Sequence, residues 1–258
     1  MNSQSIIHKD CKIGKNVEIG SFCSIGANVS IDDNCKIHSN VVIDGNVTIK
    51  KNVEIFPFVS IGSIPQDLKY KGEKTKIIID ENCKIREYVT INLGTKGGGG
   101  VTKVGKNCLL MIGTHIAHDC LVGDNVIFAN HSTLAGHVIV ENDVVVGALS
   151  AIHQFSRIGE GSMIGGMSGV TADVAPFSTV MGNRAKLSGL NLVGLKRGRF
   201  KKVEINELRK VFKYIFYSKD KTLEDRVKQI KNKKIKFYTI KKILNFLDRE
   251  SRRSFCMP

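Results

Sequence analysis

The sequence of 258 residues has no Trp, only four Pro and no long apolar run. No segment approaches the roughly eighteen consecutive apolar residues that a membrane-spanning helix needs. The first residues, MNSQSIIHKDC, also lack the apolar stretch after a basic start that marks a signal peptide. We therefore expect a cytoplasmic protein without a membrane span. With 42% hydrophobic and 24% charged residues, the chain has the composition of a soluble globular protein with a large core.

Apolar residues recur at every sixth position in two long runs. The first run consists of ten isoleucines, at Ile7, Ile13, Ile19, Ile25, Ile31, Ile37, Ile43, Ile49, Ile55 and Ile61. The second has twelve positions, at Val104, Leu110, Ile116, Val122, Phe128, Leu134, Val140, Val146, Ile152, Ile158, Ile164 and Val170. A period of six fits neither a helix nor an alternating strand, and it is the hexapeptide signature of a parallel β-helix. Three hexapeptides make one triangular coil, so residues eighteen apart stack about 4.8 Å from one another.

The cysteines lack the close pairs of a zinc cluster and follow the same repeat. The fifth residue of each hexapeptide is small or β-branched, and six of the seven cysteines stand there: Cys11, Cys23, Cys35, Cys83, Cys108 and Cys120. Only Cys256 lies outside the repeats. Because these thiols alternate with valine in a core position, they indicate neither a disulfide framework nor a metal site.

Two stretches interrupt the repeat and predict loops near residues 63–76 and 93–103. In the first, Asp67 and Glu73 occupy positions where the ladder requires apolar residues. The second contains four consecutive glycines, from Gly97 to Gly100, and shifts the phase of the ladder. It lacks the Lys-Ser/Thr ending of a phosphate-binding P-loop, so we interpret it as a flexible loop.

The composition changes sharply after about residue 187. Residues 188–258 hold 21 Lys and Arg against 7 Asp and Glu, a net charge of +14 out of the +15 of the whole chain. Apolar residues in this part have helical spacing: Leu208, Val211, Phe212, Ile215 and Phe216, then Ile240, Ile243, Leu244 and Leu247. The sequence therefore predicts a mainly β protein with two parts, a β-helix over residues 1–187 and a basic α-helical domain over residues 188–258.

Histidines gather at one edge of the predicted β-helix. The register places His118, Gly136 and Gln154 in one vertical column and Asp119, His137 and Phe155 in the next, with His115 and His153 within three residues of them. One interpretation is a general base at His118, supported by a carboxylate at Asp119 and by a bare backbone N–H at Gly136 for an oxyanion. Because adjacent strand residues normally face opposite ways, the residues alone leave open whether Asp119 pairs with His118 or with another histidine.

Two other interpretations of the histidine edge remain open. His115, His118 and His137 have a spacing that suits a zinc site shared across a subunit boundary. Alternatively, the histidines are solvated or packed at a corner without a chemical role.

Four local motifs in order carry a resemblance to a known family. They are QDLKYKGE at 66–73, HIAHDC at 115–120, LAGHV at 134–138 and AIHQF at 151–155, with NLVGLKR following at 191–197. Together they resemble the UDP-N-acetylglucosamine 3-O-acyltransferases, the first enzymes of lipid A biosynthesis. The match covers nearly the whole chain.

The resemblance implies a left-handed parallel β-helix, an exception to the right-handed crossover rule, assembled as a homotrimer with active sites between subunits. It implies that His118 deprotonates the 3-hydroxyl of UDP-N-acetylglucosamine, which attacks the thioester of a 3-hydroxyacyl group on acyl carrier protein. Asp119 would support His118, and the Gly136 amide would stabilise the oxyanion. Neither a metal nor another cofactor is implied.

The same match assigns substrate contacts to nine residues. These are Asp67 and Lys69 for the sugar and acyl groups, His115, His137, His153 and Gln154 along the site, Gly166 as a chain-length ruler, and Asn191 and Arg197 reaching the nucleotide from a neighbouring subunit. The chain departs from the family pattern at Lys196-Arg197-Gly198-Arg199-Phe200, where the second arginine is displaced by one residue. Val193 also stands where the family often has an acidic residue near the uracil.

Functions of two other classes stay open beside the acyltransferase. A histidine-zinc β-helix enzyme of the carbonic anhydrase type would contain stoichiometric zinc and would lose activity to chelators. A non-enzymatic protein that binds nucleic acid through its basic tail would bind with a steep salt dependence. The tail lacks a recognisable nucleic-acid motif, so we expect no nucleic-acid partner. The sequence leaves open the acyl chain length and whether the sugar carries a 3-hydroxyl or a 3-amine.

Overall fold

Each hexapeptide of the ladder forms a short strand followed by a turn, and the strands of successive coils stack into three parallel sheets. The computed structural model describes residues 4–198 and 200–258, so Arg199 lies outside the described residues. Sheet 1 contains Ile6–Ile7, Ser24–Ile25, Val42–Ile43, Ser60–Ser63, Thr90–Asn92, His115–Ile116, Thr133–Leu134, Ala151–Ile152 and Gly169–Val170. Sheet 2 contains Lys12–Ile13, Val29–Ile31, Val47–Ile49, Lys76–Ile79, Val101–Val104, Leu121–Val122, Ile139–Val140 and Arg157–Ile158.

Sheet 3 completes the triangle. Its strands are Glu18–Ile19, Lys36–Ile37, Glu54–Ile55, Lys84–Ile85, Leu109–Leu110, Ile127–Phe128, Val145–Val146, Met163–Ile164, Ser178–Met181 and Lys186–Leu190. The last of these pairs antiparallel with its neighbour and closes the end of the β-helix. The register of the sheets matches the eighteen-residue coil, as in Ile7 beside Ile25 and Ile116 beside Leu134.

The ladder residues form one continuous core. All twelve apolar positions from Val104 to Val170 are buried, as are the isoleucines from Ile19 to Ile61. Cys23, Cys35, Cys83, Cys108 and Cys120 are buried among them as free thiols. The predicted fold class, a hexapeptide-repeat β-helix followed by helices, is confirmed.

The three corners of the triangle differ in chemistry. At the corner between sheets 2 and 3, asparagine residues with left-handed backbone angles stand above one another. Several of their amides donate to the next asparagine, as from Asn82 to Asn107 and from Asn107 to Asn125 at 3.1 Å. At the corner between sheets 3 and 1 stand exposed apolar side chains, which we call the apolar corner: Phe22, Phe58, Tyr88, Leu149 and Met167. The corner between sheets 1 and 2 carries the histidines.

Both predicted loops leave the coil where the strands are interrupted. The first connects Ser60–Ser63 to Lys76–Ile79, and the second connects Thr90–Asn92 to Val101–Val104. The second contains a 3-10 helix at Lys96–Gly98, with Thr95 as its N-cap. Its backbone is held by hydrogen bonds from Gly98 N to Thr95 Oγ1 (3.2 Å) and from Gly100 N to Thr95 O (2.9 Å).

Four helices follow the β-helix: α1 (Leu192–Arg197), α2 (Lys202–Tyr217), α3 (Leu223–Lys231) and α4 (Tyr238–Asp248). Helix α2 buries the face predicted from the spacing of its apolar residues, including Leu208, Phe212 and Ile215, and α4 buries Ile243 and Leu244. Across residues 4–198 and 200–258, no helix combines the length and the hydropathy of a membrane-spanning segment.

Polar contacts fasten α4 to the side of the β-helix. The Tyr238 hydroxyl donates to Glu160 Oε1 at 2.8 Å, and Lys242 Nζ lies 2.9 Å from Glu160 Oε2 and 3.3 Å from Glu141 Oε2. Burial and the neighbouring Glu160 carboxylate raise the pKa of Tyr238, so its hydroxyl stays protonated as a donor. These contacts hold the first half of α4 against the β-helix.

Candidate active site

The histidine corner consists of three consecutive turns between sheets 1 and 2, at 118–119, 136–137 and 154–155. The turns stack as the eighteen-residue period predicts: His137 N donates to His118 O (3.0 Å), and Phe155 N donates to Gly136 O (3.2 Å). The His118 and His137 rings meet edge to face at 5.0 Å, and His137 stacks on Phe155 at 4.5 Å. The second residue of each turn has a left-handed backbone, with φ near 60°.

The left-handed turn brings the Asp119 carboxylate close to the ring of the preceding residue, His118. His118 Nδ1 lies 2.9 Å from Asp119 Oδ2, whereas His137 Nδ1 is 3.8 Å from the same oxygen, too far for a hydrogen bond. Of the two pairings that the sequence left open, the structure has the one between Asp119 and His118. Alternation of faces holds along a strand, but both residues belong to a turn in which φ of Asp119 is 60°.

The glycine-rich loop closes over the Asp119 carboxylate. Thr95 donates to it twice, from its backbone N–H to Oδ1 (2.8 Å) and from its hydroxyl to Oδ2 (2.7 Å). A Cβ at Gly98 would lie 2.1 Å from Asp119 Cγ, so only glycine allows this approach. The stretch predicted as a loop is thus packed on the carboxylate through residues 95–98.

The bonds to Asp119 determine the tautomer of His118. The Asp119 side chain is fully buried and, as a carboxylate, can only accept hydrogen bonds. The contact with His118 Nδ1 therefore places the imidazole proton on Nδ1 and leaves a lone pair on Nε2. His118 itself keeps 12% of its side-chain surface exposed, enough for a substrate to reach its ring.

Gly136 lies directly against the His118 ring. A Cβ at this position would come within 2.6 Å of Nε2, so glycine is required for the contact. At the same position of other turns the backbone N–H is capped from the next coil, as Lys106 N is by Asp124 Oδ1 at 2.8 Å. The Gly136 N–H has no acceptor among the described residues, and it remains available to an anionic oxygen.

Two further histidines of the corner are held neutral by their surroundings. Burial, with a smaller effect from His118, lowers the pKa of His115, whose Nδ1 lies 2.7 Å from the Thr90 hydroxyl. Burial also lowers the pKa of His137, and the Asp119 carboxylate opposes that shift. A neutral ring beside His118 does not repel the proton that a general base takes up.

A cleft of about 530 Å³ opens at the histidine corner. The structure brings Asp67, Lys69 and His137 together in its wall, as expected from the motifs that contain them. The wall also includes Tyr70, Glu73, Thr95, Gly97, Gly98, Ile139, Phe155, Arg157, Glu250, Ser251 and Arg252. Both inserted loops and the end of the chain therefore border one cleft beside His118.

His153 and Gln154 lie at the top of the corner, exposed to solvent. Arg253 contacts both, with Nε donating to Gln154 O (3.0 Å) and Nη2 lying 2.7 Å from His153 Nδ1. The Arg252 guanidinium lies 4.6 Å over the Phe155 ring. The end of the chain was not among the expected site residues, because nothing in its local sequence marks it as part of a site.

The remaining expected residues lie elsewhere in the same chain. Asn191 and Arg197 border a second cleft of about 930 Å³ beside sheet 3, together with Val193 and Gly198. The Asn191 side chain accepts from Gly194 N and donates to Gly161 O, both at 2.9 Å. Gly166 is exposed at the turn between sheets 3 and 1. One chain therefore does not bring these residues to His118.

Comparison with known proteins agrees with this architecture and site. A model of the bacterial transferase hexapeptide matches residues 10–45 and 102–136. A second family model, described as UDP N-acetylglucosamine O-acyltransferase domain 2, matches residues 173–256. The chain is thus a hexapeptide-repeat transferase, and its C-terminal domain is similar to domain 2 of UDP N-acetylglucosamine O-acyltransferase.

Relatives over the full length identify the family. The acyl-[acyl-carrier-protein]–UDP-N-acetylglucosamine O-acyltransferase of Aliarcobacter butzleri is 51% identical over 240 residues, which cover 92% of each chain. A crystal structure of a UDP-N-acetylglucosamine acyltransferase superposes with a TM-score of 0.95 at 41% identity, covering 99% of this chain and 98% of the other. The enzyme of that name from Campylobacter jejuni gives 0.93 at 37% identity, covering 100% and 99%. This chain belongs to the UDP-N-acetylglucosamine O-acyltransferase family, and it is an acyltransferase.

Proposed function

We propose that the enzyme transfers a 3-hydroxyacyl group from acyl carrier protein to the 3-hydroxyl of UDP-N-acetylglucosamine, the first step of lipid A biosynthesis, with His118 as the general base. Family membership supports the two substrates. One observation carries the role of His118: its Nδ1 contact with the buried Asp119 carboxylate, which leaves Nε2 free to accept a proton.

The reaction follows from the groups at the corner. His118 Nε2 removes the proton of the sugar hydroxyl as the oxygen attacks the thioester carbonyl. The carbonyl oxygen becomes an anion, and the Gly136 N–H donates to it. When the tetrahedral intermediate collapses, the carbon–sulfur bond breaks and the His118 imidazolium returns its proton to the thiolate of the carrier. Asp119 remains a carboxylate throughout and stabilises the imidazolium.

Substrate positions are proposed by the same reasoning. Asp67, Lys69 and His137 line the cleft beside His118, where the glucosamine ring and the acyl thioester must meet. His115, His153 and Gln154 extend the same surface above and beside the cleft. Asn191 and Arg197 would reach the nucleotide from a neighbouring subunit.

A homotrimer is part of the proposal. The apolar corner exposes large side chains, with Phe22 60% and Met167 73% exposed, and such a row is typical of a protein interface. Sheet 1 separates this corner from the histidine corner. A threefold assembly that sets the apolar corner of one subunit against the histidine corner of the next would bring Gly166 to the cleft. Analytical ultracentrifugation should give three times the chain mass.

A zinc enzyme is the second candidate, and one observation favours it. His118, Asp119 and His137 each offer a donor atom within 4.8 Å of the others. However, Asp119 Oδ2 already accepts from Thr95 Oγ1 (2.7 Å) and contacts His118 Nδ1 (2.9 Å), so an ion would have to displace both bonds. The acyltransferase mechanism uses these contacts as they stand, and it is the better supported function.

An assay with defined donors and acceptors tests the proposal. Purified enzyme is incubated with 3-hydroxyacyl carrier proteins of several chain lengths and with UDP-N-acetylglucosamine or its 3-amino analogue, with and without a chelator. We expect acyl transfer to the 3-hydroxyl that is insensitive to the chelator. Loss of transfer on zinc removal, with recovery on zinc addition, would instead support the metal enzyme. Transfer only to the 3-amino sugar would refute the proposed acceptor.

The basic helical domain leads to a prediction about the donor. Acyl carrier proteins are acidic, so positive charge near the cleft should speed their encounter with the enzyme, and salt should weaken the effect. Lys233, Lys234 and Lys236 are exposed between α3 and α4. Replacing all three by Glu should raise KM for the carrier-bound donor about fivefold at low salt, and leave KM for the UDP-sugar unchanged.

The matched control reverses three exposed lysines at the far end of the β-helix. Lys9→Glu, Lys12→Glu and Lys15→Glu together make the same change in net charge but lie on the first coil. We expect this variant to keep the wild-type KM for the donor. A donor KM that does not respond to salt, or that rises equally in both variants, would contradict a steering role for the helical domain.

A further inference from the structure

The last residues of the chain return to the β-helix and lie across the top of the histidine corner. Asp173 N donates to Ser254 O, and Cys256 N donates to Asp173 O, both at 2.8 Å. The Ser251 hydroxyl donates to the buried Asp173 carboxylate at 2.6 Å. These bonds anchor residues 250–256, which we call the C-terminal strap, before and after its two central arginines.

Arg253 of the C-terminal strap forms hydrogen bonds with two residues at the histidine corner. Its Nε donates to the carbonyl oxygen of Gln154 at 3.0 Å, and its Nη2 lies 2.7 Å from Nδ1 of His153. The planar guanidinium supports both bonds because its N–H groups have fixed directions. His153 and Gln154 remain exposed beyond these contacts, so a ligand can still reach them.

The contact with Arg253 determines the tautomer of His153. A guanidinium has only donors, so an Nη2 to Nδ1 distance of 2.7 Å requires a lone pair on Nδ1. The Gln154 carbonyl oxygen is 3.2 Å from the same Nδ1 and would accept from a protonated Nδ1. The shorter contact excludes that arrangement, because a proton on Nδ1 would point at a cation. The ring proton of His153 therefore sits on Nε2.

His118 and His153 are thus held in opposite tautomers on the same corner. The Asp119 carboxylate places the His118 proton on Nδ1 and frees Nε2 to accept a proton. The Arg253 guanidinium does the reverse at His153, where Nε2–H is a hydrogen-bond donor. One acyl transfer needs both a base that removes the hydroxyl proton and a donor that bonds a substrate oxygen. The two tautomers suit His118 to the first task and His153 to the second.

We propose that Arg253 is a positioning residue of the active site, which holds His153 as the Nε2–H tautomer so that it donates a hydrogen bond to an oxygen of the bound substrate. The proposal rests on the proposed function for the identity of the substrate. The tautomer of His153 is a property of the free enzyme, so that part of the proposal is independent of the proposed function. The C-terminal strap is then a functional part of the site and not only the end of the helical domain.

Nitrogen NMR of the ligand-free enzyme tests the tautomer directly. Histidine is labelled with ¹⁵N, and His153→Asn assigns the signals of His153. In the wild type, Nδ1 should have the shift of an unprotonated nitrogen and Nε2 that of a protonated one. Arg253→Met removes the donor and keeps the chain length, and should give averaged shifts from mixed tautomers. Unchanged His153 shifts in this variant would overturn the proposal.

Kinetics test the consequence. Loss of the fixed donor should lower kcat/KM of Arg253→Met about tenfold, the loss expected for one well-placed hydrogen bond. Arg253→Lys keeps a cationic donor and should restore the tautomer and most of the activity. Arg249→Met removes the same charge four residues away and should be unaffected. Wild-type kcat/KM in Arg253→Met, or an equal loss in Arg249→Met, would overturn the positioning role, while the NMR result stands even if the substrates prove to be others.

Discussion

Replacing His118 by alanine should lower kcat roughly 10²- to 10⁴-fold, the usual contribution of a general base. The imidazole is the only group at the corner that combines a free Nε2 with a buried carboxylate behind it, among the residues that the structure describes. The ring takes no part in the apolar core, so the β-helix should fold as before. Steady-state kinetics with saturating donor and acceptor measure the loss, and circular dichroism checks the fold.

The control for this prediction is a histidine outside the cleft. His8 is exposed on the first coil, and its Nδ1 accepts from Asp10 N at 3.2 Å. His8→Ala removes the same side chain and should keep wild-type kcat. Near-wild-type turnover in His118→Ala would show that another group accepts the proton.

Gly166→Met should shorten the acyl chain that the enzyme accepts. In the proposed trimer, the hydrogen side chain of Gly166 leaves the far end of the acyl groove open, and a long side chain would close it. Each buried methylene contributes ~0.8 kcal/mol. Excluding three methylenes of a long donor would therefore cost about 2.4 kcal/mol, on the order of a 50-fold fall in kcat/KM. A short donor, which does not reach the plug, should be almost unaffected.

The structure shows why this substitution is a clean probe. A Cβ added at Gly166 would meet Ala148, with O at 3.3 Å and N at 3.9 Å, so the Ala148 carbonyl has to shift by a few tenths of an ångström while the rest of the side chain projects outward. Measuring kcat/KM over a series of donor lengths separates the two explanations. A loss that is the same for every length would mean that position 166 affects packing and does not measure the chain.

The fold could be predicted from the sequence because one rule repeats along most of it. Each turn of the β-helix needs a buried aliphatic residue at the same position, so Ile25, Ile43 and Ile61 report the coil without help from distant contacts. The interruptions were visible for the same reason, since Asp67 cannot occupy a core position. The helices followed from a second simple period, as at Leu208, Phe212 and Ile215.

The site could be predicted only in part. The eighteen-residue register predicted that His118, Gly136 and His137 lie together, and the structure places them in contact. The partner of Asp119 stayed open at the sequence level because the backbone conformation of the turn, and not strand alternation, sets the direction of its side chain. The position of Asp119 in the second half of the turn, where asparagine stands at other corners, was the available signal for a left-handed residue.

The contacts supplied by loops and by the end of the chain were beyond sequence reasoning. Thr95 reaches Asp119 over 24 residues, and Arg253 reaches His153 over 100. Neither residue belongs to the repeat, so no period relates it to its partner. No motif around Thr95 points to Asp119, and Arg253 is one cation among many in a basic domain.

The β-helix repeats at two lengths, the hexapeptide of six residues and the coil of eighteen, and deletions of these two lengths should have different consequences. Removing six residues from the lower ladder keeps every isoleucine in the core, because all hexapeptides are equivalent there. The same deletion rotates the coils on its N-terminal side by one face of the triangle. Phe22 then no longer lies in line with Phe58 and Tyr88 on the apolar corner. Removing eighteen residues preserves both. Within residues 4–198 and 200–258, those that line the histidine cleft come after position 66, so the lower coils can gain or lose whole turns without altering the cleft. Growth and shortening of such a protein through evolution should therefore proceed in steps of eighteen, set by the alignment of the apolar corner and not by the cleft.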